Sequence, residues 1–202
     1  MLLSIDTSAG TSVAVVDRDA GILAQEDEAD TRRHAEVIGT LIRRALDAAG
    51  VAPSELSGVV AGMGPGPFTG LRVGIAAARA FAAGIRRPVV PLISHDALAL
   101  DATGPIAVVT DARRRELAWS TYDAADELGL PVRIAGPALA RADELDALLA
   151  GRRRIDAPVI PAGPLGMLGE RLHAAGRAFG PAEPLYLRAP DVTLSTPKRV
   201  TA

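Results

Sequence analysis

Val59-Val-Ala-Gly-Met-Gly-Pro-Gly-Pro-Phe-Thr-Gly-Leu-Arg72 runs from an apolar strand through a glycine-proline turn into the opening of a helix. That order binds phosphate in nucleotide folds, because glycines let backbone N–H groups approach an anion and a helix N-terminus favours negative charge. Here the turn itself argues against such use. Pro65 and Pro67 have no N–H to donate. The spacing Gly64-x-Gly66-x-x-x-Gly70 is not the dinucleotide fingerprint, and no lysine follows Gly70 as a P-loop requires. The stretch reads as a nucleotide-binding scaffold without its nucleotide.

Outward from the turn, the pattern is that of an α/β protein. Residues 2–5, 12–17 and 22–26 are expected as a three-stranded meander, and residues 31–49 as a helix with Val37, Ile38, Leu41 and Ile42 on one face, stopped by Gly50. A strand at 89–92 and a helix at 94–100 follow the helix that starts at Gly70. The second half begins again. Residues 106–111, a polar turn and residues 117–123 repeat the design of 2–6, a turn and 12–17, each strand ending in Asp, which points to an internal duplication. A strand near 131–134, a helix at 142–150, a strand at 159–162 and a helix near 165–175 complete the reading. Two lobes are expected, at 1–101 and 102–189, with 190–202 as a flexible tail.

Composition narrows the function. The 202 residues are 49% hydrophobic, carry a net charge of −2 and contain no cysteine, which fits a protein of the reducing cytoplasm with no membrane segment. A single lysine, Lys198, lies in the polar C-terminal stretch, so chemistry that needs a lysine in the folded core is not expected. His34, His95 and His173 form no His-x-x-x-His pair, and no metal site or cofactor is expected. Asp6 and Asp111 stand at matching strand ends. Each either holds a metal–nucleotide complex or caps its own turn by accepting backbone N–H bonds. Thr7, Ser8 and Gly10 after Asp6 suit a phosphate hairpin; Arg113, Arg114 and Arg115 after Asp111 do not.

The helix after the turn carries two small-residue series, Gly70, Gly74 and Ala78, and Ala76, Ala80 and Gly84, beside Arg72, Arg79 and Arg86 at seven-residue spacing. Such faces suit either packing on the chain's own sheet or close contact with another subunit. The arginine triplets at 113–115 and 152–154 are read as solvated turns or as contacts to RNA phosphate shared within a complex. Six aromatic residues (three Phe, two Tyr, one Trp) argue against an autonomous nucleic-acid module.

Four segments stand in the right order for a known family: Ile5-Asp-Thr-Ser8, Gly64-Pro-Gly-Pro-Phe-Thr-Gly-Leu-Arg-Val-Gly-Ile75, Asp111-Ala-Arg-Arg-Arg-Glu-Leu-Ala-Trp119 and Pro184-Leu-Tyr-Leu-Arg188. Together they resemble the bacterial TsaB (YeaZ) family. The resemblance implies the two-lobed actin/Hsp70/sugar-kinase-like (ASKHA) α/β fold with a reduced second lobe. It also implies a non-catalytic scaffold or activator in forming threonylcarbamoyladenosine (t6A) at adenosine 37 of tRNA, so no catalytic residues are expected. The implied partners are a TsaD-like catalytic subunit and a TsaE-like ATPase, with a homodimer when isolated and tRNA reached indirectly. The paired-histidine metal motif of TsaD is reduced here to His34 alone. The partner surface implied by the resemblance maps onto His34, Val37, Ile38, Leu41, Leu71, Gly74, Ile75, Ala78, Arg79 and Ala82. Asp6, Thr7, Ser8, Gly64, Gly66, Thr69, Gly70 and Asp111 are expected as vestigial phosphate-type loops. A small-molecule kinase or ATPase of the same fold is the alternative reading.

Overall fold

Successive residues of the early strands point to opposite faces of a sheet, and both faces are apolar. Leu3, Ile5, Val13, Val15, Val59 and Ala61 enter one core, whereas Leu2, Ala14, Val16 and Val60 enter another. A sheet buried on both sides needs helices on both sides. The computed structural model, which describes residues 1–149 and 151–188, shows how they are supplied.

The first sheet has the order β3-β2-β1-β4-β5, from β1 (Leu2–Asp6), β2 (Thr11–Asp17), β3 (Gly21–Glu28), β4 (Gly58–Gly62) and β5 (Val89–Leu92). β1, β2 and β3 are antiparallel neighbours, while β4 and β5 join in parallel. Helix α1 (His34–Ala49) fills the crossover from β3 to β4 and α2 (Phe68–Ile85) that from β4 to β5. Both lie on the Leu3 and Ile5 face. Ile38, Leu41, Ala45, Leu71, Ile75, Ala78 and Ala82 are buried there. Each large side chain so buried contributes roughly 1.5–3 kcal/mol.

The second sheet, β8-β7-β6-β9, is built from β6 (Ile106–Asp111), β7 (Glu116–Tyr122), β8 (Arg133–Arg141) and β9 (Arg153–Asp156). It has the same antiparallel meander joined by one parallel strand, and α3 (Ala142–Leu149) precedes β9 as α1 precedes β4. The internal repeat read from the sequence is therefore a repeat of topology. The second copy has no counterpart of β5 among the described residues.

Three differences from the sequence reading have clear causes. Residues 159–161 are loop and Ala162 opens α4 (Ala162–Ala174), so the strand expected at 159–162 does not form. The parallel strand is instead β9, whose Arg153, Arg154 and Asp156 are exposed: it is an edge strand, paired to β6 through backbone and tolerant of charge on its side chains. Second, α4 follows the 101/102 lobe division yet packs on the first sheet, with Leu165 and Leu168 against Val16, Val60 and Leu92. Third, residues 94–100 form a short 3-10 turn, Ser94–Ala99, rather than an α-helix. The expected tail at 190–202 lies outside the described residues.

Candidate functional site

The turn between β1 and β2 sits directly on the start of α2. Asp6 Oδ1 accepts from Ser8 N at 2.8 Å and from Ser8 Oγ at 2.5 Å, which closes the turn. Asp111 does the same at the matching place in the second sheet, accepting from Arg113 N at 2.8 Å. The turn-capping reading of both aspartates is the one the geometry shows. Asp6 is 1% exposed, its Oδ2 directed at Gly62, and burial raises its pKa above the ordinary carboxylate value against the hydrogen bonds that lower it. The carboxylate is closed off from solvent.

Thr7 makes the closest connection. Its Oγ1 donates to Gly70 O at 2.7 Å and accepts from Gly74 N at 3.1 Å, so one hydroxyl bridges two helical groups that a regular helix joins directly. The contact requires glycine. A Cβ on Gly74 would overlap Thr7 Oγ1 and stand 3.0 Å from Thr7 Cβ; one on Gly66 would stand 2.7 Å from Ser8 Cα; and one on Gly70 would stand 2.7 Å from Thr7 O. The glycine run thus receives the chain's own hairpin where a nucleotide fold would receive phosphate. Gly64, at φ +95°, turns the chain so that its N donates to Ser94 Oγ at 3.0 Å and its O accepts from Ser94 N at 2.8 Å. Thr69 is exposed on the first turn of α2 and takes no part in this packing.

Most residues of the expected partner surface face this chain's own core. His34, Ile38, Leu41, Leu71, Gly74, Ile75, Ala78 and Ala82 are buried within this chain, and Val37 is half-buried against the same core. Arg79 is exposed, but its Nη2 donates to Ala182 O at 3.0 Å, and Arg72 Nε reaches Tyr186 Oη at 3.4 Å. Those arginines hold residues 182–186 across α2. The face of α2 left exposed is the other small series, Ala76, Ala80 and Gly84, with Ala83. Leu71, Ile75 and Ala82, lying among the first series, are what draw that side onto the sheet.

His34 is buried at 7% exposure, with Nδ1 hydrogen-bonded to Thr11 Oγ1 at 2.7 Å. Burial, and then the Arg113 charge, lower its pKa. Among the described residues no group of three His, Cys, Asp or Glu side chains is placed to hold a metal ion.

A polar cluster that sequence motifs did not flag joins the two sheets. Ser94, His95 and Asp96 lie in the 3-10 turn after β5, and Ser94 is tied to Gly64 as described. His95 is fully buried, with Nδ1 hydrogen-bonded to Ser120 Oγ at 2.9 Å and Nε2 to Thr110 Oγ1 at 3.0 Å. Desolvation, followed by the Arg133 charge, pushes its pKa down to about 3, so the ring is neutral. Asp96 accepts from Tyr122 Oη at 2.8 Å and takes both prongs of Arg133 at 3.1 Å. Burial still holds Asp96 above its ordinary range. These bonds fix the second sheet to the first through one short segment. Its only sequence signal is three polar residues after an apolar strand.

Between the lobes lies a cleft of about 360 Å³. Phe68 and Tyr186 line it from the α2 side, with ring centroids 4.4 Å apart and the Arg72 guanidinium 3.7 Å from the Phe68 centroid. Arg113, Arg114 and Leu139 line it from the second lobe, and Leu187 and Arg188 also line it.

A family model described as TsaD, tRNA N6-adenosine threonylcarbamoyltransferase, matches residues 21–163. The chain belongs to that family. Within the TsaD family its likeness is to YeaZ (TsaB): the YeaZ structure from Pseudomonas aeruginosa matches with a TM-score of 0.72 at 27% identity, covering 92% of this chain and 99% of that one. An uncharacterized protein of Mycobacterium tuberculosis strain H37Rv is 37% identical over 198 residues, covering 94% of this chain and 92% of the relative. Another from Mycobacterium leprae is 36% identical over 190 residues, but this chain spans only 47% of its length. The TsaD-family chain thus has a two-sheet α/β fold like that of YeaZ, with, among the described residues, four strands in the second sheet against five in the first.

Proposed function

We propose that this chain is a non-catalytic subunit of the machinery that forms t6A on tRNA, working in the cytoplasm. Membership of the TsaD family and the likeness to YeaZ support a role in t6A biosynthesis. The observation that carries the non-catalytic reading is the filled phosphate loop: Gly66, Gly70 and Gly74 pack on Thr7 and Ser8, and Asp6 is sealed beneath them. A relative that turned over nucleotide there would need those groups open to the cleft. The chain acts instead by pairing with a TsaD-like catalytic subunit, which a TsaE-like ATPase joins.

The contact surface is the outer face of α2. Ala76, Ala80, Ala83 and Gly84 present a smooth, exposed, small-residue stripe on which a helix can approach closely. The same stripe allows self-association when the partner is absent. Ala80→Glu places a charge in that contact and touches nothing in the core. The expected outcome is a variant with wild-type stability, within about 0.5 kcal/mol, that loses at least about tenfold in affinity for the co-expressed TsaD-like subunit. Undiminished co-purification of the folded variant contradicts this surface, and tight Mg-ATP binding by the isolated chain in calorimetry contradicts the non-catalytic reading.

A further inference from the structure

We propose that the interlobe cleft is an RNA-binding site, in which an unpaired base stacks on Tyr186 and the flanking phosphodiesters lie on Arg113, Arg114 and Arg188. The inference deepens the tRNA-modification reading and rests on it for the kind of RNA. Three observations converge on the same cleft.

The first is its chemistry. Phe68 lies beneath the Arg72 guanidinium and against Tyr186, the two rings tilted at 39°, and Tyr186, 36% exposed, is the outer ring of the pair. An outer aromatic face receives any base, because every base has a π-face. Arginines at its edge suit phosphodiesters, which the guanidinium fork meets in two-pronged hydrogen bonds.

The second is charge. The chain as a whole is net −2, yet the cleft is lined by Arg113, Arg114 and Arg188, with Arg72 over Phe68 beside it. Asp111 and Glu116 organise two of these arginines. Arg113 Nη1 lies 3.6 Å from Asp111 Oδ2, and Arg188 pairs with Glu116 while donating to Arg113 O at 3.2 Å.

The third is backbone. Arg113, Arg114 and Arg115 hold φ of +66°, +57° and +63°, a left-handed turn that costs each L-residue roughly 1–2 kcal/mol. The matching β1–β2 turn contains no such residue. Strain retained at the mouth of a cleft marks a turn kept for what it presents there.

The occupant is a nucleotide within an RNA strand rather than free Mg-ATP. Among the described residues lining the cleft there is no Asp or Glu to hold a metal, Pro67 has no N–H to donate, and Asp6 is sealed away from it, so a metal–polyphosphate finds no metal ligand there. A strand brings single phosphates on either side of the base, which is what separated arginines can take.

Fluorescence anisotropy of the full chain with a labelled, unmodified tRNA transcript tests the site. Wild type is expected to bind with an affinity that falls as salt rises from about 50 to about 200 mM. Tyr186→Ala should weaken binding by about 5- to 150-fold. Arg114→Glu, at an exposed position, should weaken it by about tenfold and lower the salt slope by about one. Circular dichroism establishes that both variants are folded. Absence of tRNA binding by the wild type at the low salt overturns the proposal, as does wild-type affinity in both folded variants, or displacement of the RNA by equimolar ATP. None of these results bears on whether cells depleted of the chain lose t6A, so the site and the proposed function fail separately.

Discussion

Gly74→Val is expected to destabilise the chain by about 4 kcal/mol, a large share of the roughly 5–15 kcal/mol that holds such a chain folded. A Cβ at this position would overlap Thr7 Oγ1. Neither neighbour has room to withdraw, since Thr7 is 1% exposed and its hydroxyl is fixed to Gly70 O and Gly74 N. Overpacking of a tight core costs roughly 1–3 kcal/mol, and the two broken hydrogen bonds add about 0.5–1.5 kcal/mol each. A urea titration of the purified variant measures the loss. The same measurement on Ala80→Glu, about 1.7 turns further along the helix on its exposed side, should show almost none. Equal effects from the two substitutions would contradict the assignment of a buried and an exposed face to α2.

The second large effect is with acid. His95 has a folded-state pKa of about 3 against an ordinary value of 6.5, so between these limits the unfolded chain binds a proton that the folded chain does not. Stability contributed by this residue is complete above pH 6.5 and is lost as pH falls, at about 1.4 kcal/mol per pH unit, reaching about 3 kcal/mol by pH 4.5. Asp6 and Asp96 act in the opposite sense. Burial raises their folded pKa values, so their stabilisation grows as pH falls through them. The decisive quantity is therefore the difference between wild type and His95→Gln, whose side chain keeps a donor and an acceptor for Ser120 and Thr110. Stability curves for the two proteins should converge by about 3 kcal/mol between pH 7 and pH 4.5. Parallel curves would show that His95 is not held neutral.

Much of the fold was legible in the residues. The stretch from Val59 to Arg72 specifies strand, turn and helix, and the two Asp-terminated hairpins specify a repeat, because period-two burial and turn chemistry are local properties. The edge strand β9 was not legible: Arg153-Arg-Ile-Asp156 pairs through backbone alone, and its charges give no strand signal. For the same reason residues 159–162, apolar but lying in a loop and a helix start, imitate one.

The site was legible in composition but not in direction. Gly70, Gly74 and Ala78 and the parallel series Ala76, Ala80 and Gly84 are alike as small residues, and only their apolar neighbours Leu71, Ile75 and Ala82 decide which side meets the sheet. Arginine spacing on α2 was equally ambiguous. Arg72 and Arg79 hold the chain's own residues 182–186, a contact more than one hundred residues away in sequence for each. The Ser94, His95 and Asp96 cluster carries no motif because its partners come from three strands of the second sheet.

The central claim is that this chain supports t6A formation by pairing, with its own phosphate loop closed. The most direct measurement is the t6A content of tRNA, by nucleoside mass spectrometry, in cells depleted of the chain and complemented with wild type or with Ala80→Glu. The account predicts loss of t6A on depletion, recovery with wild type and no recovery with Ala80→Glu at equal protein level. Unchanged t6A in the depleted cells would contradict it.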